Sequence, residues 1–298
     1  MSIFRALDVA QSALVANQRA MDVVSQNLAG AANPDYSRQQ VELAARTPET
    51  IGGVVYGRGV DVRAVRRVVD PLVMGMLVDA HAEEGFARMR AQALADIAPV
   101  FGDATTSDLT DAVMRFFDAW RTFANQPADA GAQAQARVQS EALARTFRRQ
   151  AAALDAALVR LDQQLRDRVT QANALLDQIA ALNREIQRLE ASNARPGAPA
   201  NDLRDQRDAA VRKLAALISV QWIPSANGEP MLQLASGDLL VQGGKARHLV
   251  VDASGNLALA ETQAPIQAPL RGEIGGLVQA RQDIQTLRGA LDQMARDL

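Results

Sequence analysis

The first 28 residues of the chain carry apolar side chains at intervals that alternate between four and three residues. The positions are Ile3, Leu7, Ala10, Leu14, Met21, Val24 and Leu28, with the polar Asn17 in the one remaining slot. On an α-helix this heptad spacing makes one narrow apolar stripe, which we call the seam. So narrow a stripe needs a partner helix, from this chain or from another copy. Pro34 stops the helix, so residues 1–38 are interpreted as an N-terminal assembly helix and its closing turn.

The remainder, residues 39–298, is predicted to form an elongated helical core domain. Four-three spacing returns over roughly residues 130–190, at Leu154, Leu158, Leu161, Leu165, Val169, Ala172, Leu175, Ile179, Leu182, Ile186 and Leu189. Alternating patterns predict a β-hairpin within residues 39–70 and, with glycine-containing pairs between short apolar segments, a meander of three to five strands between residues 220 and 261. Asp70 followed by Pro71 predicts the start of a helix that runs towards Ile97 and ends before Pro99. The predicted class is therefore mainly α, an elongated coiled-coil-like bundle of long helices with a small β-hairpin and a β-meander.

A last helix is predicted from Gly272, with Leu277, Ile284, Leu291 and Leu298 at seven-residue steps. This stripe runs into the final residue without a stop signal, so the core is expected to be truncated at its C-terminal end. Neither this stripe nor the seam has an evident partner in the sequence. We therefore expect the two stripes to associate with each other or to drive aggregation; the alternative is that the last helix docks on the long helix near Leu175 and Ile179. The N-terminal helix is expected to be poorly ordered before assembly.

The composition argues against several kinds of chemistry. The chain has no cysteine, which excludes disulfides, thiolate catalysis and cysteine-bound zinc. Its two histidines, His81 and His248, are far apart and lack neighbours at ligand spacing. A net charge of -2 gives no basic field for nucleic acid, and no apolar run reaches the length of a membrane span. We expect no cofactor, no metal, no nucleic acid, no membrane insertion and no enzymatic activity.

Three local patterns invite a functional interpretation, and each has a simpler one. Glycines between residues 52 and 59 suggest a phosphate loop, but neither a Gly-Lys-Ser/Thr end nor a dinucleotide spacing accompanies them. Asp202, Asp205 and Asp208 suggest a carboxylate pair for hydrolysis. Because arginines are interleaved with them, solvated ion pairs along a helix face are the preferred interpretation. The aromatic residues within 116–123 suggest a cofactor site, but their helical spacing favours a packed core.

The turn after the first helix carries a resemblance to a known family. Residues 27–29 read Asn-Leu-Ala, and residues 34–39 read Pro-Asp-Tyr-Ser-Arg-Gln. This arrangement resembles the signature of the bacterial flagellar axial proteins, the rod, hook and hook-associated proteins, whose N-terminal helix ends in an Asn-rich turn and a Gly-Tyr-Ser/Thr-Arg segment. The turn motif falls here on Asn27, Pro34, Tyr36, Ser37 and Arg38.

Two later stretches narrow this resemblance, and three positions depart from it. Residues 201–208 and 272–277 resemble helices of the hook-associated proteins at the hook-filament junction. Asp35 stands where the family has glycine, and Gly30 and Ala32 stand where it has asparagine. Aspartate tolerates left-handed backbone better than most residues, so the turn is expected to survive. The resemblance covers the N-terminal portion of such a protein.

The resemblance implies a structural role outside the cell. Such proteins are exported unfolded through the flagellar type III apparatus and join hook to filament by helix-mediated polymerisation. The implied partners are copies of the chain, neighbouring hook and hook-associated subunits, and an export chaperone. The alternatives are another rod or hook axial protein, or a non-flagellar coiled-coil adaptor. An adaptor would require neither the turn motif nor the β-meander.

Overall fold

The computed structural model describes residues 3–101, 108–192, 200–223, 230–252, 254–267 and 269–298. Its helices are α1 (Ile3–Gly30), α2 (Pro71–Ile97), α3 (Asp108–Asn125), α4 (Ala130–Ser192), α5 (Asn201–Leu217) and α6 (Gly272–Asp297), with a short 3-10 helix at Ala98–Phe101. Its strands are β1 (Gln39–Ala45), β2 (Glu49–Ile51), β3 (Val54–Tyr56), β4 (Val60–Arg67), β5 (Gln221–Ile223), β6 (Met231–Gln233), β7 (Leu239–Gln242), β8 (Lys245–Ala246), β9 (Leu249–Val251) and β10 (Leu257–Leu259). The predicted mainly α class with small β elements is confirmed.

The chain divides into two compact units, each built from separate segments. Unit 1 comprises Met1–Ala80, Asn173–Ala215 and Val220–His248. Unit 2 comprises His81–Ala172, Ala216–Ser219 and Leu249–Leu298. The boundary that the sequence predicts at residue 38, between an assembly segment and a core, stays a prediction.

Unit 1 contains the predicted hairpin and the strands β5 to β8 of the predicted meander, while β9 and β10 pair separately in unit 2. Strands β1 and β4 pair antiparallel, and the small hairpin β2–β3 is inserted between them. Its turn uses Gly52 and Gly53, which both have positive φ, so these glycines serve a turn. Strands β5 to β8 form one antiparallel sheet in sequence order, with Leu232, Leu240 and Val241 fully buried. These inward side chains provide the apolar face that the meander buries.

Helix α2 begins and ends where the sequence predicts. The side chain of Asp70 accepts a hydrogen bond from the Leu72 backbone N–H at 2.8 Å, and Pro71 is the first helical residue. This combination satisfies one of the free N–H groups at a helix start. The helix ends at Ile97, two residues before Pro99.

Helix α4 is 63 residues long and buries one stripe. The buried side chains of the predicted set are Leu154, Leu161, Leu165, Val169, Ala172, Ile179 and Ile186. Arg and Asp side chains occupy much of the rest of the helix surface, which is the distribution expected of an amphipathic helix. The predicted start of this helix at residue 130 is confirmed.

In unit 2 the apolar stripe of the last helix is covered. Leu277, Ile284 and Leu291 of α6 are all buried. Arg281 and Arg288 extend from α6 to Asp162 and Asp155 of α4, with N–O distances of 2.8 and 3.2 Å. The expected pairing of this stripe with the seam is therefore wrong for these three positions, because α6 docks on α4 within its own unit. The docking lies near Asp155 and Asp162, not near Leu175 and Ile179 as the alternative had it.

The aromatic cluster of α3 is also more exposed than predicted. Phe116 and Phe117 meet edge to face at 5.2 Å between ring centroids, and Trp120 contacts Phe123 at 5.8 Å. Yet Phe117 is 50% exposed and Trp120 is 44% exposed. The rings pack on one another at the surface of unit 2, so the prediction of a fully packed core is wrong for these two residues. Helical spacing indicates that these rings share one face of α3, but it does not indicate whether other elements cover that face.

Two glycines of α6 give a matched pair for testing how this helix docks. Gly272 has φ +78°, and a Cβ there would lie 2.6 Å from the Leu217 carbonyl. We expect Gly272→Ala to destabilise unit 2 by about 1–3 kcal/mol through backbone strain alone, and further through the clash. Gly289 lies on the same helix with nothing within 4 Å of its Cβ position. Gly289→Ala should leave stability unchanged or raise it by up to about 1 kcal/mol. Urea unfolding of both variants measures the difference, and equal effects would contradict the described docking.

Among the residues that the structure describes, no helix is both long and apolar enough to cross a membrane.

Candidate assembly surface

The seam predicted on α1 is exposed along its whole length. Ile3, Leu7, Leu14, Met21, Val24 and Leu28 are between 58% and 82% exposed, and Ala10 and Asn17 are exposed too. Six large apolar side chains thus form a continuous stripe on one side of a 28-residue helix. Scattered apolar residues on a surface are ordinary, but a contiguous stripe marks an interaction surface.

The opposite side of α1 does have a partner within the chain. Ser12, Ala16 and Val23 are at most 4% exposed, and at 3.6 residues per turn they lie away from the seam. The Ser12 hydroxyl donates to the Val9 carbonyl at 2.8 Å and accepts from the Val60 N–H at 3.2 Å. The expectation that α1 lacks any partner in the chain is therefore wrong for this face, since α1 packs on the β1–β4 hairpin.

The hairpin also holds the first half of α1 by charge. Arg46 of the β1–β2 connection lies 2.8 Å from Asp61 and 3.4 Å from Asp8 of α1. The Arg5 guanidinium lies over the Tyr56 ring, 5.6 Å from its centroid. These contacts are partly exposed, so each contributes little to stability. Together with the small buried face, they fix which side of α1 is turned outward.

The family turn closes tightly at the end of α1. The Asn33 side chain accepts a hydrogen bond from the Asp35 N–H at 3.0 Å, which shapes the turn around Pro34. Gly30 allows the Tyr36 ring to pack against the helix end, since a Cβ at Gly30 would lie 2.5 Å from Tyr36 Cγ. Burial raises the pKa of Tyr36, and the nearby Asp205 carboxylate raises it further. The departure from asparagine at position 30 thus has a steric reason.

Asn27 and Gln39 join the helix to the first strand. The Asn27 side chain accepts from the Gln39 N–H at 2.8 Å and donates to the Gln39 carbonyl at 2.9 Å. Its oxygen also accepts from the Tyr36 hydroxyl at 2.9 Å. The Gln39 side chain accepts from Asn201 of α5 at 3.0 Å, and both residues are buried. Neither Gln39 nor Asn201 was singled out for this role from the sequence.

Further contacts anchor the other motif residues. The Ser37 N–H donates to Asp205 at 3.1 Å, and the Arg38 carbonyl accepts from the Val68 N–H at 2.8 Å. Asp35, the departure from the family glycine, lies 2.5 Å from Arg212 of α5. The structure therefore brings the turn motif together with α5 inside unit 1, a proximity that no local sequence pattern indicates.

The burial of two α5 aspartates contradicts another expectation. Asp205 and Asp208 are buried and share Arg67 of β4 at 2.7 and 2.8 Å. Asp208 also lies 3.3 Å from Arg207, whose guanidinium stacks over Trp222 at 5.5 Å. Burial lowers the pKa of Arg207, while the Asp208 charge opposes that shift. Solvated ion pairs were the wrong interpretation for these residues, which form a buried charge cluster; only Asp202 is exposed.

This cluster offers no arrangement for the alternative hydrolase chemistry. Each buried carboxylate is paired with arginine, so neither is left free to act on a substrate. Within the described ranges, no group of three or more His, Asp or Glu side chains could hold a metal ion. The arrangement can instead hold the turn, β4 and α5 in fixed positions.

A mainly helical fold whose N-terminal helix exposes an apolar seam is suited to a protein that associates with other helical subunits. The family model described as the flagellar hook-associated protein FlgK helical domain matches residues 94–298. The chain therefore belongs to the FlgK family of flagellar hook-associated proteins.

Individual relatives agree with this assignment. Flagellar hook-associated protein 1 of Salmonella typhimurium is 29% identical over an alignment of 314 positions, which covers 96% of this chain and 53% of the relative. The Bacillus subtilis protein of the same name is 26% identical and covers 81% of this chain and 48% of the relative. The solved flagellar hook junction protein FlgK from Burkholderia pseudomallei superposes with a TM-score of 0.58 at 27% identity, covering 70% of this chain and 39% of that chain. The chain thus spans about half the length of the relatives it matches.

Proposed function

We propose that the chain is a structural, non-catalytic subunit of the bacterial flagellum that joins hook to filament outside the cell. Its relatives are named flagellar hook-associated protein 1, and a solved relative is named a hook junction protein. In this proposal the subunit is exported unfolded by the type III route and then polymerises with copies of itself and with neighbouring hook and hook-associated subunits. Residues 1–38 serve as the assembly segment.

The observation that carries this proposal is the exposed seam. Fully burying one Leu, Ile, Val or Met side chain contributes about 1.5–3 kcal/mol. Six such residues lie on the seam, so covering it offers on the order of 10 kcal/mol before the costs of association. The buried face of α1 fixes the seam in an outward position, which makes it available to a neighbour rather than to the chain's own core.

The same seam supports an export chaperone as a further partner. A stripe of six exposed apolar residues favours premature association at the concentrations of a cell. We propose that a chaperone covers the seam until export. Crosslinking from a photoreactive residue introduced at Met21 should capture one cytoplasmic protein before export, and copies of the chain or neighbouring axial subunits afterwards.

The location is tested by immunogold electron microscopy of flagella from cells that produce the chain. Gold particles should concentrate in one band where the hook meets the filament. Cells lacking the gene should carry hooks without filaments. Labelling along the whole hook or rod would instead assign the chain to another class of axial protein, and labelling confined to the cytoplasm would support an adaptor.

A further inference from the structure

The Asn27 side chain makes three hydrogen bonds near the end of α1. Its amide binds both the N–H and the carbonyl of Gln39, at 2.8 and 2.9 Å. Two bonds to one residue fix an orientation as well as a distance, as paired hydrogen bonds do elsewhere in proteins. The third bond, from the Tyr36 hydroxyl at 2.9 Å, holds the amide oxygen in place.

The residue that Asn27 holds is itself fixed. Gln39 is the first residue of β1 and pairs with Arg67 of β4. Its side chain accepts from Asn201 at 3.0 Å, and Asn201 also donates to the Val65 carbonyl at 2.9 Å. Gln39 and Asn201 are 6% and 8% exposed, so these bonds are shielded from water. Asn27 is therefore tied to a rigid point of unit 1.

The rest of α1 is held less firmly. Its buried face has only three small or medium side chains, Ser12, Ala16 and Val23. One hydrogen bond, from the Val60 N–H to the Ser12 hydroxyl at 3.2 Å, joins this face to β4, and the contacts of Arg46 with Asp8 and of Arg5 with Tyr56 are partly exposed. A helix joined to its neighbours by one such bond and by partly exposed contacts can tilt about its end unless that end is fixed.

We propose that Asn27 is the positioning residue that sets the angle of α1 on the β1–β4 hairpin and thereby aims the seam. This inference rests on the proposed function only for its consequence in assembly; the angle itself is a property of the single chain. Asn27 lies at the pivot, and Ala6 lies 21 residues away, about 31 Å along the helix at 1.5 Å per residue. A tilt of about 10° at the pivot therefore moves Ala6 by about 5 Å.

The angle can be measured directly because the chain contains no cysteine. Spin labels introduced through Ala6→Cys and Arg63→Cys would report the distance from α1 to the hairpin in the full chain. Both positions are exposed. We expect Asn27→Ala to shift or broaden this distance by about 5 Å while the far-UV circular dichroism still shows folded helices. Gln18→Ala, an exposed polar residue on the same helix, should leave the distance unchanged.

A second variant keeps the test decisive if Asn27→Ala does not fold. Asn27→Asp keeps the size and both accepted bonds but loses the donor to the Gln39 carbonyl, which then faces a carboxylate oxygen. We expect the same displacement in this variant, and Asn27→Gln should not restore the parent distance because its longer side chain moves the amide.

Distances in the Asn27 variants that match those of Gln18→Ala would overturn the inference, because the angle would then be set elsewhere. The outcome does not depend on polymerisation. If immunogold labelling places the chain away from the junction of hook and filament while the Asn27 distance changes, the proposed function fails and the positioning role stands.

Discussion

Replacing Leu14 by aspartate is expected to abolish assembly while leaving the folded chain intact. Leu14 lies in the middle of the seam and is 66% exposed, so the single chain loses almost nothing. On assembly the same side chain would be buried as an unpaired carboxylate, at a cost of several kcal/mol. Because about 1.4 kcal/mol is a tenfold change in affinity, association should weaken by more than about 100-fold. Filament counts by electron microscopy, together with thermal unfolding of the purified chain, measure both effects.

Two substitutions on the same helix serve as controls. Gln11→Asp places the same charge at an exposed position off the seam and should permit normal filaments. Val23→Asp places it on the face that packs against the hairpin, where Val23 is 3% exposed, and should lower the stability of the single chain. Normal assembly of Leu14→Asp would refute the seam as the assembly surface. Unfolding of Leu14→Asp would mean that this side of α1 packs within the chain.

Removing Arg67 is expected to destabilise unit 1 by about 3–5 kcal/mol, the usual cost of breaking a buried ion pair from one side. Arg67 is the shared partner of Asp205 and Asp208, and all three side chains are at most 11% exposed. Arg67→Ala leaves Asp205 without its guanidinium and Asp208 with Arg207 alone. Urea unfolding measures the loss when it is followed by Trp222 fluorescence in a Trp120→Phe background, since the Trp222 ring contacts Arg207 of the same cluster.

A neighbouring arginine provides the comparison. Arg63 lies on the same strand, is 66% exposed and pairs with Glu42 at 3.6 Å. Arg63→Ala should change stability by no more than about 0.5–1 kcal/mol, because exposed ion pairs contribute little. Arg67→Lys should recover part of the loss, since a single nitrogen of Arg67 makes both carboxylate contacts. Equal losses for Arg63→Ala and Arg67→Ala would show that the cluster is solvated, as the sequence pattern suggested.

The sequence predicted elements whose signals are local. The heptad spacing gave α1 and α4, Asp70 with Pro71 gave the start of α2, and glycine pairs gave the turns of the β elements. These signals depend on residues within a few positions of one another, which is why they could be identified without a structure. The sequence also indicated that the seam needs a partner, because a stripe so narrow is poorly suited to a monomer's core.

The sequence could not predict which distant residues would meet. Asp205 and Asp208 read as surface charges because Arg204 and Arg207 stand beside them, yet their main partner is Arg67, more than 130 positions earlier. For the same reason the sequence could not decide between pairing of the α6 stripe with the seam and docking on α4, since the partner residues on α4 lie far away in sequence. A charged residue facing inward on a strand, as Arg67 does on β4, was the one available hint of a buried cluster.

The close packing of Gly30 and Tyr36 has a consequence for interpreting mutational scans of this turn. Substituting Gly30 alone measures a collision with the Tyr36 ring, not the backbone preference of position 30. In a background where Tyr36 is serine, the same Gly30→Asn change meets no ring. The two substitutions should therefore be strongly non-additive, with the double variant less damaging than the sum of the singles. The two positions are expected to tolerate change only as a pair.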